Sequence, residues 1–276
     1  MKKILVPTDF SPIANNALDI AVDIARYNGA KIELLNVKMY PVADVGAYYS
    51  LYGASGFTID EKTWADVLKA AKLELNKLIE KYEDVSIKPL VEETAGDFVS
   101  SVLEHKADLI VMGSNGADGL KELFSGSNSE EIVRLASCPV LVVKGSVKTF
   151  APKKVVLTID FSHEKFLKKA FNNLPLKDAE LHFLHVDTGL KAINYKEDDD
   201  KMHKLANKIG LKNCQFEILN AATVEYGILE YTEKINADLI VMYTHGRRGI
   251  SHFFNGSIAE DVVNHSDVPV FTYVEA

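Results

Sequence analysis

Residues 107–143 read ADLIVMGSNGADGLKELFSGSNSEEIVRLASCPVLVV: an apolar run, a glycine-rich loop, a short amphipathic stretch and a second apolar run. Two residues separate Gly113 from Gly116, nine follow, and then come Gly126 and Ser127. A near copy begins at Ala237, ADLIVMYTHGRRGISHFFNGSIAEDVVNHSDVPVFTYV. The beginning of the chain is copied too: Lys2-Lys3-Ile4-Leu5-Val6-Pro7-Thr8-Asp9-Phe10-Ser11 returns as Lys153-Lys154-Val155-Val156-Leu157-Thr158-Ile159-Asp160-Phe161-Ser162. Two copies of one unit account for 276 residues as two domains of ordinary size. The boundary is expected at 147/148, in a linker around Thr149 and Pro152.

Composition narrows the class. Hydrophobic residues make up 47% and charged ones 25%, as in a globular protein. A net charge of −8 argues against a nucleic-acid binder, which concentrates Lys and Arg. It still permits one small anionic ligand, because backbone amides hold a phosphate locally. No window approaches the roughly 20 apolar residues that span a bilayer. The opening apolar run stops at Pro7 and Asp9, too soon for a signal peptide. Cys138 and Cys214 occupy unrelated positions in the repeat, which suits a reducing compartment and neither a disulfide framework nor a zinc site. The expected location is cytoplasmic.

In the first half, Lys2–Thr8 reads as a buried strand leading into a loop. Ser11-Pro12 starts a helix that carries Ala14, Leu18, Ala21, Val22 and Ala25 at helical spacing and ends at Gly29. Lys31–Val37 is a second strand. Residues 40–62 are rich in Tyr, Gly and Ala and fit neither period; they read as a long surface connection, or as a flap or subunit contact, since exposed tyrosines favour interfaces. A helix with Trp64, Ala71 and Leu75 follows, then a strand near Val85–Val91, a helix from Asp97 to His105, a strand from Asp108 to Met112, a helix from Ser127 to Ala136 and a strand from Pro139 to Val143. In the second half, strands are expected at 179–187, 214–219, 238–242 and 268–273. Alternating strands and helices predict parallel sheets covered on both faces. In such sheets ligands bind beyond the carboxyl ends of the strands, where strand order reverses. Asp9, Val37 and Gly113 fall there.

Glycine lets a backbone approach a ligand and adopts positive φ cheaply. Ser127, Asn128 and Ser129 then open a helix, whose free N–H groups suit a phosphate. By residues alone, an ordinary glycine-turned connection and a phosphate loop stand level. Two familiar phosphate loops are absent: there is no G-x-x-x-x-G-K-[ST], and no G-x-G-x-x-G between the first strand and helix. No Ser-His-Asp set and no metal-ligand constellation follows from spacing. His182 and His185 lie on opposite faces of a strand, and His245, His252 and the Arg247-Arg248 pair read as solvated surface.

The chain resembles the universal stress protein family, as a tandem member, over nearly all of both halves except residues 40–62. The nucleotide-binding members carry G-x2-G-x9-G-[ST], which the first half matches at each fixed position. The resemblance implies two tandem flavodoxin/Rossmann-like domains, each a five-stranded parallel sheet with helices on both faces. It implies that Pro7, Thr8, Asp9 and Val37 line an adenosine pocket above Met112 and Gly113. Gly116, Gly126, Ser127, Asn128 and Ser129 would hold ribose and phosphates. Asn115 stands where many members have histidine. The implied ligand is ATP, with Mg2+ shared among its phosphates, and the implied role is a nucleotide-dependent stress-response regulator. The alternatives are a slow ATPase, for which neither a base nor a Walker lysine is evident, and a nucleotide-free interaction protein. The family's pairing of domains through last strands would occur within this chain, and the tyrosine-rich stretch could support a homodimer.

The second copy departs from the pattern. Tyr243 replaces the first glycine and Thr158-Ile159 replaces Pro7-Thr8, although Asp160, Gly246, Gly256 and Ser257 remain. A side chain there would fill ligand space or block the needed φ. The second site is expected to bind nucleotide weakly or not at all.

Overall fold

Every residue from Ile4 to Thr8 is buried, which a strand achieves only when both faces are covered. A computed structural model of the chain describes residues 1–40, 60–114, 126–145, 149–158, 170, 173–189, 195–211, 213–244 and 257–274. The first half runs β1 (Lys3–Pro7), α1 (Pro12–Asn28), β2 (Lys31–Met39), α2 (Glu61–Ile79), β3 (Ile87–Thr94), α3 (Phe98–Glu104), β4 (Leu109–Gly113), α4 (Gly126–Leu135) and β5 (Val140–Val143). The second runs β6 (Lys154–Thr158), β7 (Glu180–Asp187), α5 (Tyr195–Ile209), β8 (Cys214–Asn220), α6 (Val224–Ile235), β9 (Leu239–Thr244), α7 (Ser257–His265) and β10 (Val270–Val274).

All ten strands join one sheet in the order β3-β2-β1-β4-β5-β10-β9-β6-β7-β8. Each half is a parallel five-stranded sheet, and β5 meets β10 antiparallel, with Val142 opposite Val270, Leu141 opposite Phe271 and Val140 opposite Thr272. The expected pairing of last strands therefore occurs within the chain. Because the seam is antiparallel, the carboxyl ends of the two sets of strands point in opposite directions. One apolar layer packs α1, α2 and α5 on one face, through residues such as Leu18, Leu75 and Met202. The other packs α3, α4, α6 and α7, through Val99, Ile132, Ile228 and Val262.

Local chemistry sets the element ends. The Ser11 hydroxyl accepts from Ala14 N at 3.2 Å, Pro12 occupies the first turn, and Gly29 closes α1 at φ 71°. Asp60 and Asp97 cap α2 and α3 in the same way, accepting from Thr63 N and Ser100 N. β2 and β3 both run past their expected ends, because Val37–Met39 pairs with Glu92–Thr94. β3 is an edge strand, so its glutamates can stay solvated while the backbone pairs. The stretch at 40–62 lies outside the described residues between 41 and 59. Its first residue is anchored: Tyr40 N donates to Thr94 O at 2.8 Å, and the Tyr40 ring meets Trp64 edge-on at 5.0 Å. The boundary expected at 147/148 also falls on undescribed residues. The linker beyond it is packed, since Phe150 is 4% exposed and its N–H donates to Asp23 Oδ2 on α1 at 2.9 Å.

The repeat extends to its pins. Asp108 Oδ2 accepts from Lys2 N and Lys3 N at 2.7 and 2.9 Å, and Asp238 Oδ2 accepts from Lys153 N and Lys154 N at 2.7 and 2.8 Å. Each carboxylate fastens the first strand of its half to the fourth. The backbone donors of Lys2 hold the Asp108 carboxyl below its usual range. A depressed carboxylate stabilises the fold in full above the unfolded value near 3.9 and loses that contribution as pH falls through the lower folded value. Asp108→Asn is expected to cost about 1 kcal/mol after allowance for solvent screening. It should also flatten the acid limb of a stability–pH curve below about pH 4. Unchanged urea midpoints at pH 7 and pH 3 would rule this pin out as a contributor.

Candidate functional site

The order β3-β2-β1-β4-β5 reverses between β1 and β4, so a crevice opens beyond their carboxyl ends. Pro7 ends β1 and is buried, as is Thr8, while Asp9 is half-buried. Thr8 N donates to Leu35 O at 2.8 Å, extending the β1–β2 ladder by one residue. The Thr8 hydroxyl accepts from Phe10 N at 3.0 Å, and Asp9 Oδ1 accepts from Ser11 N at 2.9 Å. These bonds fold the chain back into α1 with Phe10 at φ 68°, a left-handed conformation that costs a non-glycine residue energy.

Sequence reasoning missed two residues behind this loop. Asn36, 2% exposed on β2, donates through Nδ2 to Thr8 O at 2.7 Å, and its Oδ1 is buried without a partner. Asn15 on α1 donates to Phe10 O at 3.3 Å, and its Oδ1 is likewise unpartnered. Two amides thus hold the carbonyls of Thr8 and Phe10 from opposite sides. An asparagine at an inward position of an otherwise apolar strand was the available signal, since a buried amide is retained only where it bonds.

Across the switch point, Met112 is 1% exposed and Gly113 ends β4 beside Val143. The sequence reading gave Gly113 the task of approaching a ligand or adopting positive φ. The structure gives it a packing task as well. Gly113 is not among the positive-φ glycines, and a Cβ built on it would lie 2.7 Å from Ile13 O and 2.8 Å from Ile13 C. The missing Cβ is what lets the first turn of α1 lie against β4. In the second half, Tyr243 holds this register position opposite Tyr273, and the two rings stack with centroids 6.4 Å apart. The glycine that lets α1 lie against β4 in the first half therefore has no counterpart at this register position in the second.

Gly116 and Asn115 lie outside the described residues, as do Asp160, Gly246 and Gly256 of the second copy. Gly126 and Ser127 open α4, whose first N–H groups lack partners within the helix. Asn128 is half-buried. Ser129 is 3% exposed, and its hydroxyl donates to Ser114 Oγ at 3.2 Å. Ser114 directly follows Gly113 and is 2% exposed. Beneath both lies Lys144, just past β5 and 5% exposed, with Nζ 3.5 Å from Ser114 Oγ. Neither Ser114 nor Lys144 was singled out from sequence; a lysine closing an apolar run reads as a solvated strand end.

Among the described residues, no group of three or more acidic, His or Cys side chains could hold a metal ion, and no helix is long and apolar enough to cross a membrane. Of the two β7 histidines, His182 is 6% exposed and its Nδ1 pairs with Tyr231 OH at 3.1 Å. Burial holds its pKa below the usual value.

The two halves thus repeat one strand order, one aspartate pin and one helix start after the fourth strand. The family model described as the universal stress protein family matches residues 1–144 and 152–273. The chain belongs to the universal stress protein family. It is a tandem member, and universal stress protein Slr1230 of Synechocystis has the same extent: it is 25% identical over 99% of this chain and 100% of its own length. Universal stress protein MJ0531 of Methanocaldococcus jannaschii is 31% identical over 52% of this chain and 82% of its own length. The crystal structure of a universal stress protein from Archaeoglobus fulgidus superposes with TM-score 0.72 at 22% identity, over 99% of this chain and 96% of that one. That likeness supports the fold.

Proposed function

We propose that the first half, residues 1–147, binds ATP, and that this universal stress protein acts as a nucleotide-dependent regulator. The observation that carries the reading is the convergence at one crevice of the Thr8–Asp9 loop, the Met112–Ser114 strand end and the open start of α4 over a buried lysine. Thr8, Asp9 and Val37 offer hydroxyl, carboxylate and apolar contacts to an adenosine. The α4 start at Gly126–Ser129 offers backbone donors to phosphates. Mg2+ would be carried by the phosphates themselves, since the described residues supply no cluster of three ligands of its own. The two unpartnered amide oxygens of Asn15 and Asn36 support a loop built for a purpose, because buried acceptors are rarely left open. The second half, residues 148–276, carries Tyr243 where this arrangement needs glycine, and does not bind nucleotide.

Titration calorimetry of the intact chain is expected to give one ATP per chain, with phosphate release over hours no faster than in buffer containing Mg2+ and ATP alone. Two equivalent sites would refute the asymmetry. Rapid stoichiometric phosphate release would favour an enzyme.

A further inference from the structure

Lys144 is an unusual residue for its place. It follows four fully buried valine and leucine positions, Val140–Val143, yet its own side chain turns inward, on the face of β5 that packs under α4. Ser114 and Lys144 are neighbours on adjacent strand ends, because Ser114 N donates to Val143 O at 3.0 Å. Among the described residues, the long contact to Ser114 Oγ is the ammonium's one hydrogen bond, and no carboxylate lies within ion-pair distance. A buried ammonium without a counter-ion is expensive. Here it lies below the start of α4, whose N–H groups add positive potential rather than relieve it. Three elements therefore bring Ser114, Ser129 and Lys144 into one polar cluster at the start of α4, each at least nineteen-twentieths buried.

We propose that Lys144 is the cationic floor of the phosphate end of the first-half site, and that it makes this site select polyphosphorylated nucleosides over the free nucleoside. The inference rests on the nucleotide reading above and adds to it a residue, a ligand class and a pH response. Burial pushes the Lys144 ammonium down to about 8, against the opposing pull of Asp267 and Glu130. Glu130 lies on α4 and Asp267 in the turn before β10. Lys144 also borders a 260 Å3 cavity at the seam, which Asp267 and Asp238 line as well; Asp238 there accepts two backbone N–H groups. At pH 7 the amine is charged in the empty site. Above pH 8 it loses its proton there, while a bound polyphosphate retains it, so binding takes up a proton and affinity falls about tenfold per pH unit. The phosphates' own last ionisation, near 6, is complete in that range.

The experiment titrates the full chain with ATP, adenosine and inorganic triphosphate at pH 7.5, 8 and 9, for the parent, Lys144→Met and Lys144→Arg. Removing the charge in Lys144→Met is expected to weaken ATP by about 10- to 100-fold and adenosine by less than about twofold, with the fall above pH 8 abolished. Lys144→Arg is expected to recover most ATP affinity and to bind independently of pH across this range, since guanidinium stays charged. Thermal melts of the three proteins confirm folding, and the adenosine arm does so at the site itself. Equal ATP affinity and equal pH profiles in the parent and Lys144→Met would overturn the inference and leave the nucleotide reading standing. A parent that binds neither ATP nor adenosine overturns both. Adenosine that binds the parent as tightly as ATP does would overturn the selection claimed.

Discussion

Gly113→Ala is expected to destabilise the first half and to remove most of its ATP affinity together. The added methyl would sit 2.7 Å from a backbone oxygen of α1, and no rotamer change relieves a contact between a Cβ and a main-chain atom. Either β4 or the first turn of α1 must shift by several tenths of an ångström. Overpacking of this kind costs about 1–3 kcal/mol, and each kcal/mol lowers the melting temperature by roughly 2–4 °C in a protein of this size class. The displaced turn is the one that Ser11 caps and Asp9 precedes, so the distortion reaches the crevice directly. Calorimetric melting and ATP titration of the same preparation check both halves of the expectation. A variant that melts within a degree of the parent and binds ATP normally would show that α1 does not need this close approach.

Gly126→Asp should separate what Gly113→Ala combines. Gly126 is the first residue of α4, where a carboxylate interacts favourably with the helix's open N–H groups, typically by about 0.3–1 kcal/mol. It also brings an anion towards the buried Lys144. Folding is therefore expected to be unharmed. ATP binding is expected to fall by at least about 100-fold, since the new charge repels phosphates and takes up the donors they would use, a loss of about 2.8 kcal/mol or more. If ATP binds this variant and the parent equally, the phosphate end is not at α4. Unequal stability with equal affinity would contradict the assignment more sharply still.

The architecture was legible because its signals are periodic. Apolar runs bounded by Pro, Gly and capping residues marked nine of the ten strands at nearly their observed positions, and Lys153–Phe161 marked the tenth by copying Lys2–Phe10. Ser11-Pro12 and Gly29 located both ends of α1. The overrun of β2 and β3 was not legible, because Glu92–Thr94 carry no apolar signal and only their pairing with Val37–Met39 extends the ladder. At the candidate site the legible part was also local: Thr8-Asp9 and Gly113 follow strands, and Gly126-Ser127 opens a helix. What escaped were contacts between elements distant in sequence. Asn36 holds Thr8 across a gap of 28 residues and Lys144 reaches Ser114 across 30; neither has a periodic signature. Gly113 is a different case. The glycine stood out in the sequence, but its neighbour Ile13 could not be known from it, so the packing constraint at this position was not foreseen.

The antiparallel seam has a consequence for how the two copies can diverge. When identical subunits pair through one strand, every change is written into both partners at once, and each residue faces its own symmetry mate or a fixed reciprocal pair. Here Leu141 faces Phe271 and Val140 faces Thr272, and the Thr272 hydroxyl donates to Val140 O at 3.3 Å. The two sides of the junction have already become unlike. Covalent joining releases each half from the requirement to match the other, so one half could acquire a tyrosine at its fourth strand end while its neighbour kept glycine. An inherited symmetry that would otherwise impose two identical crevices becomes the means by which one is retained and the other is free to change.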